Sequence, residues 1–224
     1  MNYNLVKRIM DVIIAIIALL LVGIPMIVIA IAIKLEDGQH VIFVQKRIGK
    51  DLNPFYIYKF RTMRTDREEL HSDYSYSQMV TKVGKFLRKT SLDELPQIFN
   101  VLKGEMSFIG PRPWIPEYYK FLTDEQKKRN DVLPGISGLA QIKGRNGISI
   151  EEKLYYDLGY VKRLGLREDL KIIFLTVISV LKKDNAEISE KGIIEEIEFL
   201  KISFSRINGI SQYNEEKRKN IVNR

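Results

Sequence analysis

Two adjacent carboxylates, Asp93 and Glu94, lie in the segment Ser91–Gln97 at the predicted start of a helix. Ser91 and Glu94 have the spacing of a capping box, whereas a helix that begins near Asp93 places Pro96 in its first turn, where proline is tolerated. In either register the carboxylates lie at the positive end of a helix dipole. The pair is either an ordinary acidic helix start or a nucleophilic or metal-binding site, placed where free amides also attract phosphate.

Basic side chains that suit phosphate binding lie in other segments. Arg112 stands between Pro111 and Pro113, whose rings fix φ, so its backbone is preorganised for bidentate capture of phosphate. The same run also occurs in plain exposed loops. Lys59 and Arg61 share one face of a predicted strand, which is either a solvated edge or a second phosphate-binding surface.

Two further segments carry candidate site residues. Gly144–Gly147 resembles a short phosphate-cradling turn and contains Arg145. Asp169 opens a predicted helix and is either a helix cap or a second acidic ligand. The candidate residues are therefore spread over much of the chain, and the fold must bring them together.

The composition excludes several chemistries. The chain has 224 residues and no cysteine, which rules out disulfides, thiolate catalysis and cysteine-built metal sites. His40 and His71 are far apart in polar surroundings, which favours surface positions over a histidine metal site or a Ser-His catalytic pair. The formal net charge of +8 predicts an anionic partner, whether nucleic acid, anionic lipid headgroups or a phosphate-bearing substrate.

An uncharged apolar segment, residues 12–33, predicts a membrane helix. As a straight helix it would be about 33 Å long, enough to cross a hydrocarbon core of about 30 Å. Pro25 removes an amide donor within this helix and predicts a bend there. Basic residues flank the segment on both sides, so the positive-inside rule places both ends in the cytoplasm. These residues are compatible with a spanning anchor and with a re-entrant helix that breaks at Pro25.

Local signals predict the remaining elements. The β-rich runs at 40–45 and 55–63 predict a hairpin. Glycine and proline predict irregular backbone over 107–116 and 133–147. Periodicity or capping boxes predict helices over 82–88, 93–102 and 169–183, and helix starts at Thr123–Gln126 and Ser149–Glu152.

The C-terminal region contains one further amphipathic pattern. Apolar residues recur there at three- and four-residue steps: Ile193, Ile197, Leu200, Phe204 and Ile207. The predicted helix either docks on its own domain, forms a homodimer contact or lies on the membrane surface.

Five motifs occur in order along the chain: Tyr58–Met63, Ser91–Gln97, Gly110–Pro113, Pro134–Gly138 and Gly144–Asn146. In order and spacing, over roughly residues 5 to 185, they resemble the bacterial sugar transferases, which are small monotopic phosphoglycosyl transferases. Five ordered motifs are far more specific than any one of them. Within this family the chain is most similar to the undecaprenyl-phosphate diacetylbacillosamine-1-phosphate transferases of bacterial N-glycan pathways.

The resemblance implies a catalytic Asp-Glu dyad, Mg²⁺ and a covalent phosphosugar–enzyme intermediate. It assigns the nucleophile and metal ligand to Asp93, the catalytic partner to Glu94 and a further acidic residue of the site to Asp169. It also makes Arg112 a binder of substrate phosphate. The further candidates for phosphate binding are Lys59, Arg61 and Arg145.

The resemblance also implies a helix that enters the cytoplasmic leaflet, breaks at a Ser-Pro pair and returns. Pro25 matches the proline, but Ile24 replaces the serine, so a hydroxyl that would stabilise the bend is missing and Gly23 supplies flexibility instead. We therefore predict an α/β fold class that is mostly helical with a small β-hairpin. The predicted parts are a re-entrant membrane helix (1–36), a compact cytoplasmic catalytic domain (37–185), and a C-terminal amphipathic helix with a charged tail (186–224).

The resulting prediction is an enzyme of the bacterial inner membrane whose catalytic domain faces the cytoplasm. It moves a sugar 1-phosphate from a UDP-sugar to undecaprenyl phosphate and releases UMP, as the first membrane step of glycoprotein, O-antigen or capsule assembly. The lack of cysteine and of paired histidines favours an oxygen-ligated Mg²⁺ over zinc. Membrane lipid is an expected partner and nucleic acid is not.

Two other classes of protein compete with this prediction. A membrane-tethered nucleic-acid-binding protein would use Tyr56, Tyr58 and Phe60 as a stacking surface, but that leaves the carboxylate pair unexplained. An anchored scaffold would use its C-terminal helix to recruit partners. Mg²⁺-dependent release of UMP separates the enzyme from both.

Overall fold

The computed structural model describes residues 3–38, 40–64, 79–144, 147–181 and 194–205. Within these ranges the protein is mostly helical with two small sheets, which confirms the predicted composition of elements. The helices are α1 (Tyr3–Asp37), α2 (Lys82–Thr90), α3 (Gln97–Lys103), α4 (Asp124–Lys127), α5 (Leu139–Gly144), α6 (Ile150–Lys162) and α7 (Leu166–Leu181), and residues 194–205 are also helical. The strands are β1 (Ile42–Ile48), β2 (Pro54–Phe60), β3 (Ser107–Ile109) and β4 (Gly135–Ser137).

Strands β1 and β2 form the predicted hairpin. They pair antiparallel, with Ile42 opposite Phe60 at one end and Ile48 opposite Pro54 at the other. Phe55 and Ile57 on β2 are buried in a core cluster that includes residues of α1 and α3. Because side chains two positions apart share a strand face, Lys59 is directed inward with Phe55 and Ile57. The solvated-edge interpretation of Lys59 is therefore wrong.

Helix α1 packs one side on the rest of the protein and exposes the other. Its packed side contributes Ala15 to one core cluster and Ile33 to another, where Ile33 meets Phe60 and Leu87. Its opposite side carries large apolar residues that are between 60% and 80% exposed: Leu20, Leu21, Ile24, Ile27 and Val28. By length and composition α1 is able to cross a membrane.

The helix continues through Pro25 as one helical segment and extends beyond the predicted 12–33 at both ends. A proline inside a helix bends the axis without ending the helix, so the predicted bend at Pro25 stays a prediction. The extension arises because the polar residues that flank the apolar segment bind the rest of the protein.

The first turns of α1 are anchored on α7 and α3. Asp169, in the first turn of α7, accepts hydrogen bonds from the Tyr3 hydroxyl at 2.6 Å and from Lys7 Nζ at 2.5 Å. Arg8 donates to main-chain carbonyls in the last turn of α3, including that of Leu102 at 2.8 Å. A cation near the C-terminus of a helix also interacts favourably with its dipole.

The last turn of α1 is anchored on α2. The carboxylate of Glu36 accepts hydrogen bonds from the amides of Lys82 at 2.6 Å and Val83 at 2.9 Å. These are among the amides at a helix start that have no partner within the helix. Only residues 91–96 separate α2 from α3, and α3 and α7 both contact β3, so both ends of α1 are bound to one connected set of elements.

A second, parallel sheet forms where irregular backbone was predicted. Ser107 on β3 lies opposite Gly135 on β4, and Ile109 lies opposite Ser137. A Cβ atom built on Gly135 would lie 2.1 Å from the amide nitrogen of Gly110, so only glycine permits this approach of the two backbones. The prediction of irregular backbone was wrong for β3, for β4 and for α5, because each is too short to show a period in the sequence.

Two helix starts and the C-terminal helix agree with prediction. Capping boxes are formed at Thr123 and Ser149. In the helix over residues 194–205, Leu200 is buried and Glu196 accepts a hydrogen bond from the Tyr118 hydroxyl at 2.6 Å. The described part of this helix therefore docks on its own domain, which was one of three predicted alternatives. Ile193 and Ile207 lie outside the described residues.

Candidate active site

The carboxylate pair lies in a tight turn between two helices. After α2, Ser91 adopts a left-handed backbone with φ of 57°, which turns the chain, and Leu92–Glu94 forms one turn of 3₁₀ helix. Helix α3 begins only at Gln97, after Pro96 in the N-cap position. The predicted α-helix start at Asp93 was wrong, because the chain forms a 3₁₀ turn over Leu92–Glu94 and the α-helix begins four residues after Asp93. Ser91 makes no capping hydrogen bond through its side chain, so the predicted capping box is not formed there.

Glu94 is bound by two cations from separate segments. Its Oε1 accepts a hydrogen bond from Lys59 Nζ on β2 at 2.7 Å and from Arg112 Nη2 at 2.8 Å. The side chains of Glu94 and Lys59 are each 18% exposed, whereas that of Arg112 is 35% exposed. The structure thus brings together three of the predicted site residues. One carboxylate shared by two cations leaves a net positive charge beside Asp93.

The protonation of this cluster follows from its burial and charges. Burial alone would raise the pKa of Glu94, but the charges of Arg112 and Lys59 outweigh burial and hold that pKa well below its usual range. Burial lowers the pKa of Lys59, and Glu94 opposes that change. The charge of Glu94 raises the pKa of Arg112. Glu94 is therefore ionised at neutral pH and held in one place.

Asp93 has a different environment from Glu94. Its carboxylate is half-buried, and within the described ranges of the chain it makes no ion pair. Burial raises the pKa of Asp93, and the negative charge of Glu94 adds to that rise, whereas Lys59, Arg112 and Arg88 lower it. A carboxylate that is close to cations but not paired with one is available to a ligand.

The segment that carries Arg112 is tied down through its main chain. Ile48 donates from its amide to the carbonyl of Trp114 at 3.0 Å, and Gly135 donates to the carbonyl of Pro111 at 2.9 Å. The carbonyl of Arg112 itself accepts a hydrogen bond from Arg129 Nη2 at 2.6 Å. The hairpin, β4 and Arg129 therefore fix together the backbone position from which the Arg112 side chain extends.

The remaining predicted site residues lie in other places. Arg61 follows β2 and donates from its main-chain amide to Val41 at 2.9 Å, and its phosphate-binding role stays a prediction. Arg145 lies outside the described residues. Asp169 is bound by Tyr3, Lys7 and Tyr160. None of these belongs to the Glu94 cluster, which consists of Glu94, Lys59 and Arg112. A direct role of Asp169 in the site stays a prediction, and its contacts anchor α1.

Two arginines near the site, Arg88 and Arg129, were not predicted from the sequence. Arg88 on α2 donates to Thr62 Oγ1 at 2.9 Å, and its charge lowers the pKa of Asp93. Arg88 lies five residues before Asp93, and this proximity in sequence could have identified it as a candidate site residue. Arg129 forms a buried pair with Asp157, and the two are 28 positions apart, so no local pattern reveals their contact.

The site offers few side chains that could act as metal ligands. Among the described residues no group of three or more histidines and carboxylates lies close enough together to hold a metal ion. Mg²⁺ needs fewer protein ligands than this, because it is usually bound by one or two carboxylates together with substrate phosphates and water. Asp93, with a carboxylate not engaged in an ion pair, fits that requirement.

The chain belongs to the bacterial sugar transferase family, whose family model matches residues 2–183. This match includes α1 and every residue of the Glu94 cluster, and it ends before the C-terminal helix at residues 194–205. The helix that docks through Glu196 is therefore an addition to the part shared with the family.

Curated relatives match the chain over about four-fifths of its length. The chain is 40% identical to the uncharacterized sugar transferase EpsL of Bacillus subtilis over 82% of the chain and 91% of that protein. It is 42% identical to the galactosyl transferase CpsE of Streptococcus agalactiae over 80% of the chain and 43% of that protein. It is also 42% identical to the UDP-glucose:undecaprenyl-phosphate glucose-1-phosphate transferase of Escherichia coli over 78% of the chain and 40% of that protein. The chain thus spans most of the first relative and less than half of the other two.

Proposed function

We propose that this protein transfers a sugar 1-phosphate from a UDP-sugar to undecaprenyl phosphate and releases UMP. The observation that carries the proposal is the unequal pair of neighbouring carboxylates. Glu94 is bound by Lys59 and Arg112, whereas Asp93 remains available beside the same cations. The name of the Escherichia coli relative supports the classes of donor and acceptor.

In the first half-reaction an oxygen of Asp93 forms a bond to the β-phosphorus of the UDP-sugar. The bond from that phosphorus to the bridging oxygen breaks, and the bridging oxygen leaves with its electron pair as part of UMP. The sugar phosphate remains on Asp93 as an acyl phosphate. Two negative charges at 4 Å repel by about 4 kcal/mol at an effective dielectric constant near 20. The net positive charge of Lys59, Arg112 and Glu94 together offsets this repulsion.

In the second half-reaction a phosphate oxygen of undecaprenyl phosphate attacks the same phosphorus. The bond between phosphorus and Asp93 breaks, which restores the carboxylate and joins sugar and lipid through a diphosphate. Each half-reaction replaces one phosphorus–oxygen bond by another, so no oxidant or further reactant is needed. Glu94 stays ionised throughout and holds the two cations against the transferred phosphate.

Mg²⁺ is the proposed cofactor, and Asp93 is the side chain proposed to hold it. When bound, the ion supplies positive charge to the diphosphate oxygens. The position of Asp93 beside Glu94, rather than in a closed cage of carboxylates, leaves room for the substrate phosphates that Mg²⁺ prefers as ligands.

The proposed location is the inner membrane with the domain on the cytoplasmic side, which the basic residues on both flanks of the apolar segment favour. The anchoring of α1 supports the re-entrant topology that this location requires. A helix of this length measures roughly 52 Å. If α1 crossed the bilayer, one end would lie on the far side and would lose either the Asp169 contacts or the contacts of Glu36. A re-entrant α1 keeps both ends in contact with the domain and still places its exposed apolar side in lipid.

The test is release of UMP by purified protein in the presence of undecaprenyl phosphate and Mg²⁺. The donors are UDP-glucose, UDP-galactose and UDP-diacetylbacillosamine, which cover the sugars named for the relatives and the one implied by the motifs. We expect one donor to be used in preference to the others, and removal of Mg²⁺ by a chelator to stop the reaction. Protein that is folded and releases no UMP with any UDP-sugar would reject the proposal.

A further inference from the structure

The side chain of Arg112 reaches Glu94 from a main chain that is fixed by other residues. Arginine has four rotatable side-chain bonds, so the position of its guanidinium depends on where its backbone is held. The Arg112 side chain is 35% exposed, and so the surrounding packing does not fix it alone. The hydrogen bond from Arg129 to the Arg112 carbonyl joins the backbone of this residue directly to the core of the domain.

The guanidinium of Arg129 donates hydrogen bonds to three different residues. Its Nη2 donates to the Arg112 carbonyl and to Asp157 Oδ2, each at 2.6 Å, and its Nε donates to the same Asp157 oxygen at 3.0 Å. Its Nη1 donates to the Tyr119 hydroxyl at 2.9 Å. The guanidinium also lies over the ring of Trp114, 4.0 Å from its centroid. These contacts need a planar group with donors in fixed directions, which lysine does not offer.

The pair of Arg129 and Asp157 lies deep in the protein, with side chains only 1% and 2% exposed. Removing two charges from water is costly, and a buried ion pair is often no more stabilising than well-packed apolar side chains of similar size. Stability alone therefore gives little reason for a charged pair here. The hydrogen bond from Arg129 to the Arg112 carbonyl, which fixes the Arg112 backbone, does explain why a charged pair lies here.

We infer that Arg129 is a positioning residue for Arg112, and that Asp157 and Trp114 hold Arg129 in the orientation that this role requires. The inference rests on the proposed function, because the purpose of the arrangement is to place the Arg112 guanidinium beside the transferred phosphate. Arg129 itself touches neither Asp93 nor Glu94 and acts through the main chain of Arg112.

The first experiment is a double-mutant cycle. Arg129→Lys keeps the positive charge but loses the fork of donors, and we expect it to lower kcat by roughly 10- to 100-fold, with a smaller effect on KM, since misplacement by about 1 Å has effects of that size. In an Arg112→Ala background the same Arg129→Lys change is expected to lower kcat less than about twofold, because the group that it positions is absent. Equal losses in both backgrounds would overturn the positioning role.

The second experiment separates positioning from stability. In Arg129→Met with Asp157→Leu, an apolar pair replaces the buried charges, which is expected to keep the unfolding temperature near that of wild type. We expect kcat to stay low in this variant, because the hydrogen bond to Arg112 is not restored. Trp114 is the sole tryptophan, so a shift in its fluorescence emission checks that the guanidinium has left its ring. Wild-type kcat in this variant would overturn the inference.

A control separates loss of activity from general destabilisation. Ile172 is fully buried in a different core cluster, and Ile172→Ala is expected to lower the unfolding temperature while leaving kcat near wild type at a temperature where the protein is folded. If wild-type protein releases no UMP, the proposed function fails, and the positioning role fails with it. If wild-type protein is active and the cycle is additive, only the positioning role fails.

Discussion

Among single residues, Asp93 and Glu94 are neighbours in sequence with different roles in the proposed reaction. Asp93 must be available to the substrate, whereas Glu94 must stay paired with Lys59 and Arg112. We expect Asp93→Asn to abolish UMP release and labelling of the protein by a radiolabelled sugar phosphate. The same change is expected to leave stability unchanged or slightly raised, because burial already disfavours the charge of Asp93. Stability is measured by denaturant unfolding. Substantial turnover by Asp93→Asn would exclude the covalent intermediate.

Glu94→Gln is expected to differ from Asp93→Asn in its effect on stability. It removes the negative charge that Lys59 and Arg112 share, so two cations are left without a carboxylate in a largely buried place. We expect the free energy of unfolding to fall by on the order of 1–3 kcal/mol, together with a severe loss of turnover. Lys127→Gln, which removes a surface ion-pair partner, is the matched control and should change neither. Equal stability of Glu94→Gln and wild type would contradict the proposed pairing.

The pKa of Asp93 makes a prediction for the dependence of rate on pH. Because the pKa of Asp93 is raised, kcat/KM should increase with pH as this carboxyl loses its proton. Arg88→Gln removes a charge that lowers this pKa, so the pKa rises further and the acid limb of the profile moves to higher pH. Lys85→Gln, an exposed change on the same helix, should leave the limb in place. A shift to lower pH in Arg88→Gln would show that another group titrates.

At the scale of elements, the contact between β3 and β4 depends on glycine. A Cβ on Gly135 would meet the Gly110 backbone at 2.1 Å, so Gly135→Ala forces the two strands apart. We expect a loss of at least about 2 kcal/mol in the free energy of unfolding and lower activity, because β4 also binds the carbonyl of Pro111. In Gly165→Ala the added Cβ would lie 3.8 Å from the Arg163 carbonyl oxygen, an ordinary van der Waals distance, and this control should be tolerated. The measurement is unfolding by urea, and equal midpoints for the two variants would refute the argument.

Some elements of the fold can be predicted from local sequence, and others cannot. The hairpin and the capping boxes at Thr123 and Ser149 follow from turn residues and from hydrogen bonds that span three positions, and they were predicted correctly. The same spacing at Ser91 gave a wrong prediction, because Ser91 adopts a left-handed backbone in the turn after α2. Strands of three residues have no measurable period, and β3 and β4 pair only because glycine lets their backbones meet. Asp93 and Glu94 were identified, but Lys59 lies 35 positions from Glu94, so their contact depends on tertiary packing. Arg129 was missed for the same reason.

At the scale of the whole molecule, the anchoring of α1 predicts its topology. Single cysteines at Asn4 and at Glu125 can be labelled selectively, because the chain has no native cysteine. Glu125 is exposed on α4, and we expect both positions to resist an impermeant thiol reagent in intact cells and to react after the membrane is opened. Labelling of position 4 from the periplasm would show that α1 spans. Pro25→Ala is expected to move part of the population toward spanning, since it restores a helical hydrogen bond.

The C-terminal helix lies outside the family match and predicts a separation of roles. Truncation after Asn185 removes Glu196 and its contacts with Tyr118 and Lys153, together with buried Leu200. We expect the truncated protein to keep UMP release while its unfolding temperature falls and any self-association weakens. Truncation after Ser205 keeps these contacts and should match wild type in stability. Complete loss of UMP release by a folded protein that ends at Asn185 would reject the separation.

Helix α1 precedes in the chain every element on which it packs. Ala15 and Ile33 complete two core clusters, and Glu36 supplies acceptors for the first amides of α2. At a synthesis rate of about 5–20 residues per second, Asp169 is made roughly ten seconds after α1. Until then the first turns of α1 lack their Asp169 contacts, and its exposed apolar side has no partner among the described residues of the folded protein either. In the proposed re-entrant topology lipid covers that side from the start, and the later elements fold onto a helix that the membrane already holds.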